Sequence, residues 1–293
     1  MDNKVDVREF LMSRRAKVSP EQVGLPFGSN RRVQGLRRSE VASLAGVSVE
    51  YYTRLERGAI GGASPEVLES IARALLLDEA ERSHLFDLAR AAGPSPRSSR
   101  GRSTGTQKTH ESLQWALDAV TLGPAFVRNG RMDLLAANAL ARAFYQDVYS
   151  MGEATPNLAR FTFLSQRAFD FYPDWDFFAE VTVAILRTEA GKDPRNKGMH
   201  DLIGELSTRS EEFRQLWGRH NVRHHGTGMK TFNHSDVGEM TLSYEGLSME
   251  AAPGLTMTIY AAEPGSPSAE RMALLASLAA TKTAAKMVQE ESR

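Results

Sequence analysis

The chain has 293 residues, about two average domains at roughly 150 residues each. Its 41% hydrophobic and 25% charged content is that of a globular protein with a sizeable core. It has no cysteine, which excludes disulfides, thiolate metal sites and cysteine nucleophiles. The net charge of +0 conceals an asymmetry: residues 1–108 carry 18 Lys and Arg against 13 Asp and Glu, the remainder 18 against 23, so a polyanion partner belongs to the first part.

The first ten residues are charged and lack the apolar core of a secretory signal, and no apolar run approaches the ~20 residues of a membrane span. The expectation is a cytoplasmic protein with no membrane partner. Helical periodicity follows over 5–18, with Val7, Phe10, Leu11 and Ala16 on one face, then over 38–45, 49–57, 65–76 and 79–91. Ser64-Pro65 is a start signal, a capping hydroxyl followed by proline at the first helical position. This is an α-helical domain of five helices, residues 1–93. Residues 94–110, rich in Ser, Gly, Thr, Pro and Arg, bury too little apolar surface to offset the cost of ordering them, and read as a flexible basic linker.

Beyond the linker, 113–122 is helical and 124–136 holds two short apolar runs around Asn129-Gly130, a hairpin signal with a type I′ turn. Helices broken at Pro156, Pro173 and Pro194 run to about 221. Three strands follow at 230–234, 239–244 and 255–262, and Thr241, Ser243 and Glu245 take the face opposite Met240, Leu242 and Tyr244. A helix from 268 to about 289 ends the pattern. Residues 111–293 therefore form an α+β domain with an antiparallel sheet.

The most informative stretch is 36–58, LRRSEVASLAGVSVEYYTRLERG. Val41, Ala42 and Ala45 make an inward helical face, and Gly46 supplies a left-handed turn that a side chain resists. Val47 plugs the angle, and Ser48 caps the next helix. There Tyr52 and Leu55 face inward while Val49, Glu50, Thr53 and Arg54 share the outer face. Glu56 points away from that face, toward an ion pair.

These residues resemble the phage-repressor-like, or XRE, helix-turn-helix family, whose pattern of short helix, Ala-Gly-Val-Ser, recognition helix and Leu-Glu-x-Gly is met without a gap. The resemblance implies sequence-specific binding of double-stranded DNA. It implies base-reading roles for Val49, Glu50 and Arg54, a further contact from Thr53, and phosphate contacts from Ser48 and Arg38. The chemistry is consistent: Arg suits guanine's paired acceptors, Glu accepts from cytosine N4, and Val touches a thymine methyl. Arg31 and Arg32 stand equally for phosphate contact and for solvation. One small helix-turn-helix reads few base pairs, so a homodimer is expected.

Hairpin, helices, then three strands is the element order of a PAS-like domain. The segments VGLPFG, YYTRLERG, DEAERSHLFDLARAA, GPAFVRN, LAANALA, NLARF, YPDW, VGEMTLSYE and AAEPGSPSAE together resemble the MmyB-like transcription regulators. That resemblance covers most of the chain. It implies a PAS-like ligand-binding domain that takes a small apolar, fatty-acid-like ligand. An aromatic stretch over 161–178 supplies Phe163, Tyr172 and Trp175 as pocket candidates, with core filling as the alternative reading of each. Arg128, Asn129, Arg223, His224 and His225 are candidates to hold a carboxylate.

His220 and His224 have a helical metal-ligand spacing, but Arg219, Arg223 and Lys230 crowd them with positive charge and no acid lies between Gln215 and Ser235. No metal is expected. Neither Gly-x-Ser-x-Gly nor a glycine-rich phosphate loop occurs, so no cofactor and no catalytic residue is assigned. Two other readings stay open: an enzyme carrying a DNA-binding autoregulatory domain, and an effector-free regulator controlled by protein partners.

Overall fold

The computed structural model describes residues 3–26, 33, 35–93, 110–219 and 226–291. Its backbone contacts divide the chain into two compact units. One comprises Met1–Ser103, Val183–Gly204 and Arg214–His224; the other comprises Thr104–Thr182, Glu205–Phe213 and His225–Arg293. The basic segment 94–109, together with Arg31 and Arg32, lies outside the described residues.

In the first unit α1 (Asn3–Lys17), α2 (Arg38–Leu44), α3 (Val49–Glu56), α4 (Pro65–Ala74) and α5 (Glu79–Ala92) enclose one core. The five expected helices are present, with ends within two residues of the periodicity. Of these, α3, α4 and α5 start where side chains satisfy free N–H groups of the first turn. Ser48 Oγ accepts from Tyr51 N at 3.1 Å, and Ser64 Oγ from Val67 N at 3.4 Å. Asp78 and Glu81 form a reciprocal capping box. Val7, Phe10 and Leu11 of α1, Val41 of α2, Tyr52 and Leu55 of α3, Ile71 of α4 and Leu85 and Leu88 of α5 are essentially solvent-free. Each such side chain contributes about 1.5–3 kcal/mol by leaving water. Between α2 and α3, Gly46 takes φ +67°, and Val47 N donates to Ala42 O at 2.9 Å.

From residue 110 the order is α6 (Glu111–Asp118), β1 (Ala125–Asn129), β2 (Leu134–Ala137), α7 (Ala139–Phe144), α8 (Gln146–Tyr149), α9 (Leu158–Leu164), α10 (Arg167–Phe171), α11 (Trp175–Lys192), α12 (Lys197–Arg209) and α13 (Glu211–Gly218). Then come β3 (Thr227–His234), β4 (Gly238–Ser248), β5 (Leu255–Ala261) and α14 (Pro267–Glu291). The strands form one antiparallel sheet in the order β2-β1-β5-β4-β3. This is the α+β architecture expected of the second half, with β1 and β2 joined by register to the three late strands.

Alternation gives the sheet two faces. Ala125 and Val127 of β1, Leu255 of β5 and Ala136 of β2 pack with Leu117 of α6 on one. Opposite pairs define the other: Arg128 with Thr256, Phe126 with Thr258, Tyr244 with Tyr260, Gly228 with Tyr244, Lys230 with Leu242 and Phe232 with Met240. Phe144 of α7, Phe171 of α10, Tyr172 just after it and Phe178 of α11 lie against this second face.

The first hairpin departs from a type I′ turn at Asn129-Gly130. Residues 130–133 form the connection, and the positive φ belongs to Met132 at +66°. The reason is the Asn129 side chain, whose Oδ1 accepts from Arg131 N at 2.9 Å and Asp133 N at 3.1 Å, building an Asx-type turn. Its Nδ2 donates to Asp133 Oδ2 at 2.8 Å. Among the described residues no helix is long and apolar enough to cross a membrane.

Candidate functional site

The first candidate site is the outer face of α3. Tyr52 and Leu55 pin the helix from below, so Val49, Glu50 and Arg54 stand exposed and Thr53 half-buried. These four, with Arg57 and Ala59, line one surface concavity of about 390 Å³. The Arg54 guanidinium lies over the Tyr51 ring, 4.9 Å from its centroid, which restricts the side chain before any ligand arrives. The Ser48 hydroxyl, at the N-terminus of α3, is already engaged with Tyr51 N. The positive end of the helix dipole is there too, and it favours a nearby anion.

Below that face sits a buried ionic knot. The Glu56 carboxylate is 1% exposed and accepts from Arg15 Nε at 2.7 Å and from Arg38 Nε. Tyr52 Oη donates to the same carboxylate at 3.4 Å, and burial followed by the Glu56 charge pushes the phenol well above its ordinary value. Arg15 Nη1 also donates to Leu36 O at 2.9 Å, bracing α1 against the entry to α2. The Arg38 side chain remains 43% exposed. One edge of its guanidinium is held by Glu56, and the rest faces outward from the start of α2.

The second candidate site is the aromatic face of the sheet. Phe144 meets Phe232 at 4.9 Å and Tyr260 at 5.8 Å, and Tyr172 stacks on Phe178 at 4.0 Å. The polar atoms among these rings are few. Tyr145 Oη and Tyr260 Oη lie 3.1 Å apart. Burial raises both phenols, Tyr145 well above the usual range and Tyr260 to about 12. Two cations share the face. Arg128 is buried on β1. Lys230 on β3 is half-buried as a residue, while its ammonium nitrogen lies 4.5 Å from the Tyr244 ring centroid and 5.3 Å from that of Phe178. Burial, followed by the Arg128 charge, pushes Lys230 down to about 7.

Of the residues singled out by sequence, Arg128 lies on this face of β1, and Tyr172 packs against the same face at Phe232 of β3. Phe163 and Trp175 form a separate group: Phe163 is edge-on to Trp175 and to Phe213, and Trp175 stacks on Phe169 and donates from Nε1 to Thr162 O at 3.0 Å. The Asn129 amide is committed to its turn. Arg223, His224 and His225 lie outside the described residues. His234 is buried, with Nδ1 accepting from Asp236 N at 3.1 Å and Nε2 3.2 Å from Ala143 O. The first bond fixes Nε2 as the protonated nitrogen, so it donates to that carbonyl. Sequence patterning did not single out Lys230, Tyr145 or Tyr260. The signal for the lysine was alternation, which sets Lys230 on the same face as Phe232 and His234.

Residues 109–275 match the family model described as the MmyB-like transcription regulator ligand binding domain. Residues 11–85 match that of a helix-turn-helix domain. No curated protein matches the chain.

Proposed function

The chain belongs to the MmyB-like transcription regulators, DNA-binding proteins with a ligand-sensing domain, and from that premise we propose that it is a cytoplasmic homodimer that reads a specific duplex site and responds to a fatty-acid-like ligand. In this reading residues 1–93 bind DNA, 94–110 tether, and 111–293 bind ligand and pair the two copies. Val49, Glu50, Thr53 and Arg54 read bases, and Ser48 and Arg38 hold phosphates. The observation that carries the DNA assignment is the sharing of one concavity by the four outer residues of α3, on a helix whose opposite face is sealed into the core. A helix so presented enters a major groove by its N-terminal end. Pairing sets the two reading helices ~34 Å apart, one turn of duplex.

The ligand assignment rests on the aromatic face of the sheet, where rings surround a small set of buried polar groups, the usual make-up of a site for an apolar molecule. Arg128 and Tyr172 are the proposed contacts among those expected from sequence. Regulation rather than turnover is the function, and native mass spectrometry of the purified full chain tests it. A co-purifying acyl species is expected; repeated preparations without one would remove the fatty-acid reading and leave a regulator controlled by other means.

A further inference from the structure

Lys230 has no role in the proposed function, yet its surroundings are unusual for a lysine. It lies on the aromatic face of the sheet, opposite Leu242 of β4 and one row from Phe232 on its own strand. A lysine in such a place usually turns its ammonium to water or to a carboxylate. Here the nitrogen lies over two rings, 4.5 Å from the Tyr244 centroid and 5.3 Å from that of Phe178. Among the described residues it has no hydrogen bond and no ion pair. Tyr244 reaches it by folding over Gly228, directly opposite on β3, where an added Cβ would meet ring atoms at 3.2 Å. The lysine as a whole is half-buried rather than sealed, which leaves a small molecule a way to the amine.

Rings answer an ammonium only in part, and an ion taken from water without an acceptor is costly. The uncharged amine suits these surroundings better, and burial, followed by the Arg128 charge, brings Lys230 down to about 7. A desolvated lysine amine is a nucleophile toward carbonyl carbon. We propose that Lys230 is a covalent capture site for an apolar aldehyde, which it holds as an imine with the tail along the aromatic face. The nitrogen lone pair forms the C–N bond to the carbonyl carbon. Both amine protons go to the carbonyl oxygen, which leaves as water while the C=N bond closes. No oxidant or reductant is consumed. The product puts an uncharged nitrogen where an ammonium is poorly solvated, so the surroundings favour it, and water reverses the step when the aldehyde is withdrawn. The place of the tail rests on the apolar-ligand reading; the bond to Lys230 goes beyond it, because the head group is recognised by reaction.

The test treats the full chain with octanal at about pH 7 and with cyanoborohydride, which fixes an imine as a secondary amine, and maps the label by peptide mass spectrometry. At that pH about half of the Lys230 amine is uncharged, against roughly one part in two thousand for an ordinary lysine. Lys4, Lys192 and Lys197 are exposed and serve as internal standards. Wild type is expected to take one octyl group at Lys230 at least about tenfold faster than at any of these, well inside that difference. Lys230→Met and Lys230→Arg, whose guanidinium stays charged, should both lose this label and keep the slow labelling elsewhere. Octan-1-ol, with the same tail and no carbonyl, should slow the labelling of Lys230 alone. Labelling of Lys230 no faster than that of the exposed lysines, or fast labelling of the N-terminal amine in its place, would overturn the capture site; binding of octan-1-ol in calorimetry would then show that the apolar-ligand reading stands. If octan-1-ol neither binds nor protects while Lys230 is still the residue labelled, the apolar-ligand reading falls alone and capture by Lys230 stands.

Discussion

Replacing Glu56 by alanine tests the ionic knot that holds the DNA-reading helix. The carboxylate is 1% exposed, and its partners differ in their access to water: the Arg15 side chain is 15% exposed and Arg38 is 43% exposed. Removing one member of a fully buried pair costs about 3–5 kcal/mol because the other charge is stranded. Arg38 rehydrates readily, so its loss adds little. Arg15 does not, and the buried Tyr52 hydroxyl loses the carboxylate it donates to. The expected loss is therefore ~2–3 kcal/mol in the local stability of α1 and α3. Amide hydrogen exchange on the full chain reads it directly, as an acceleration of about 30-fold to 150-fold for the buried amides of those helices. Glu56→Gln, which keeps the shape and one acceptor, should fall between. An acceleration under about threefold in Glu56→Ala, well below 1 kcal/mol, would refute the reasoning, since the knot would then be solvated in fact.

Three further outcomes are expected. Arg54→Ala should cost about 1–3 kcal/mol on the specific duplex and relax preference at one base, whereas Arg38→Ala should weaken all sequences alike and flatten the salt slope by about one unit; anisotropy titrations across salt concentrations separate the two. Gly46→Ala meets nothing within 4 Å but must hold φ +67°, so chemical denaturation should show a loss of about 1–2 kcal/mol from backbone strain alone. Lys230 is lowered from 10.5 to about 7 by burial and by Arg128; the unfolded chain therefore binds more protons than the folded one between those values. The lysine destabilises the ligand-free fold fully below about pH 7, and stability should rise with pH from there toward 10.5. Thermal unfolding across that range should show the rise in wild type and its loss in Lys230→Met.

What is legible in the sequence is what local chemistry decides. Ser48, Gly46 and the Tyr52–Leu55 spacing set cap, turn and inward face within a dozen residues, so α2 and α3 follow from neighbouring residues alone. The alternation of Met240, Leu242 and Tyr244 likewise defines the two faces of β4. Asn129 shows the limit even at short range: an Asn-Gly pair suggests a two-residue turn, but the side chain's bonds to Arg131 and Asp133 favour a longer one. The interior of the second unit is harder to read, because its polar groups meet only through long-range pairing. Register β1 to β5 to β4 to β3 brings Arg128 onto the face of Lys230, about a hundred residues away in sequence. A lone lysine in a strand reads as solvated until its neighbours are known. The aromatic stretch 161–178 divides for the same reason: Tyr172 turns to the sheet, while Phe163 and Trp175 pack with Phe169 and Phe213.

The most direct test of the account is the affinity of the full chain for a duplex selected from a random pool, against a scrambled duplex of the same length, at one physiological salt concentration. A sequence-reading regulator binds the selected site on the order of 10³-fold more tightly or better, with a two-fold symmetric site whose halves are ~34 Å apart. Equal binding of both duplexes, with Arg54→Ala indistinguishable from wild type, would contradict the claim that the outer face of α3 reads DNA.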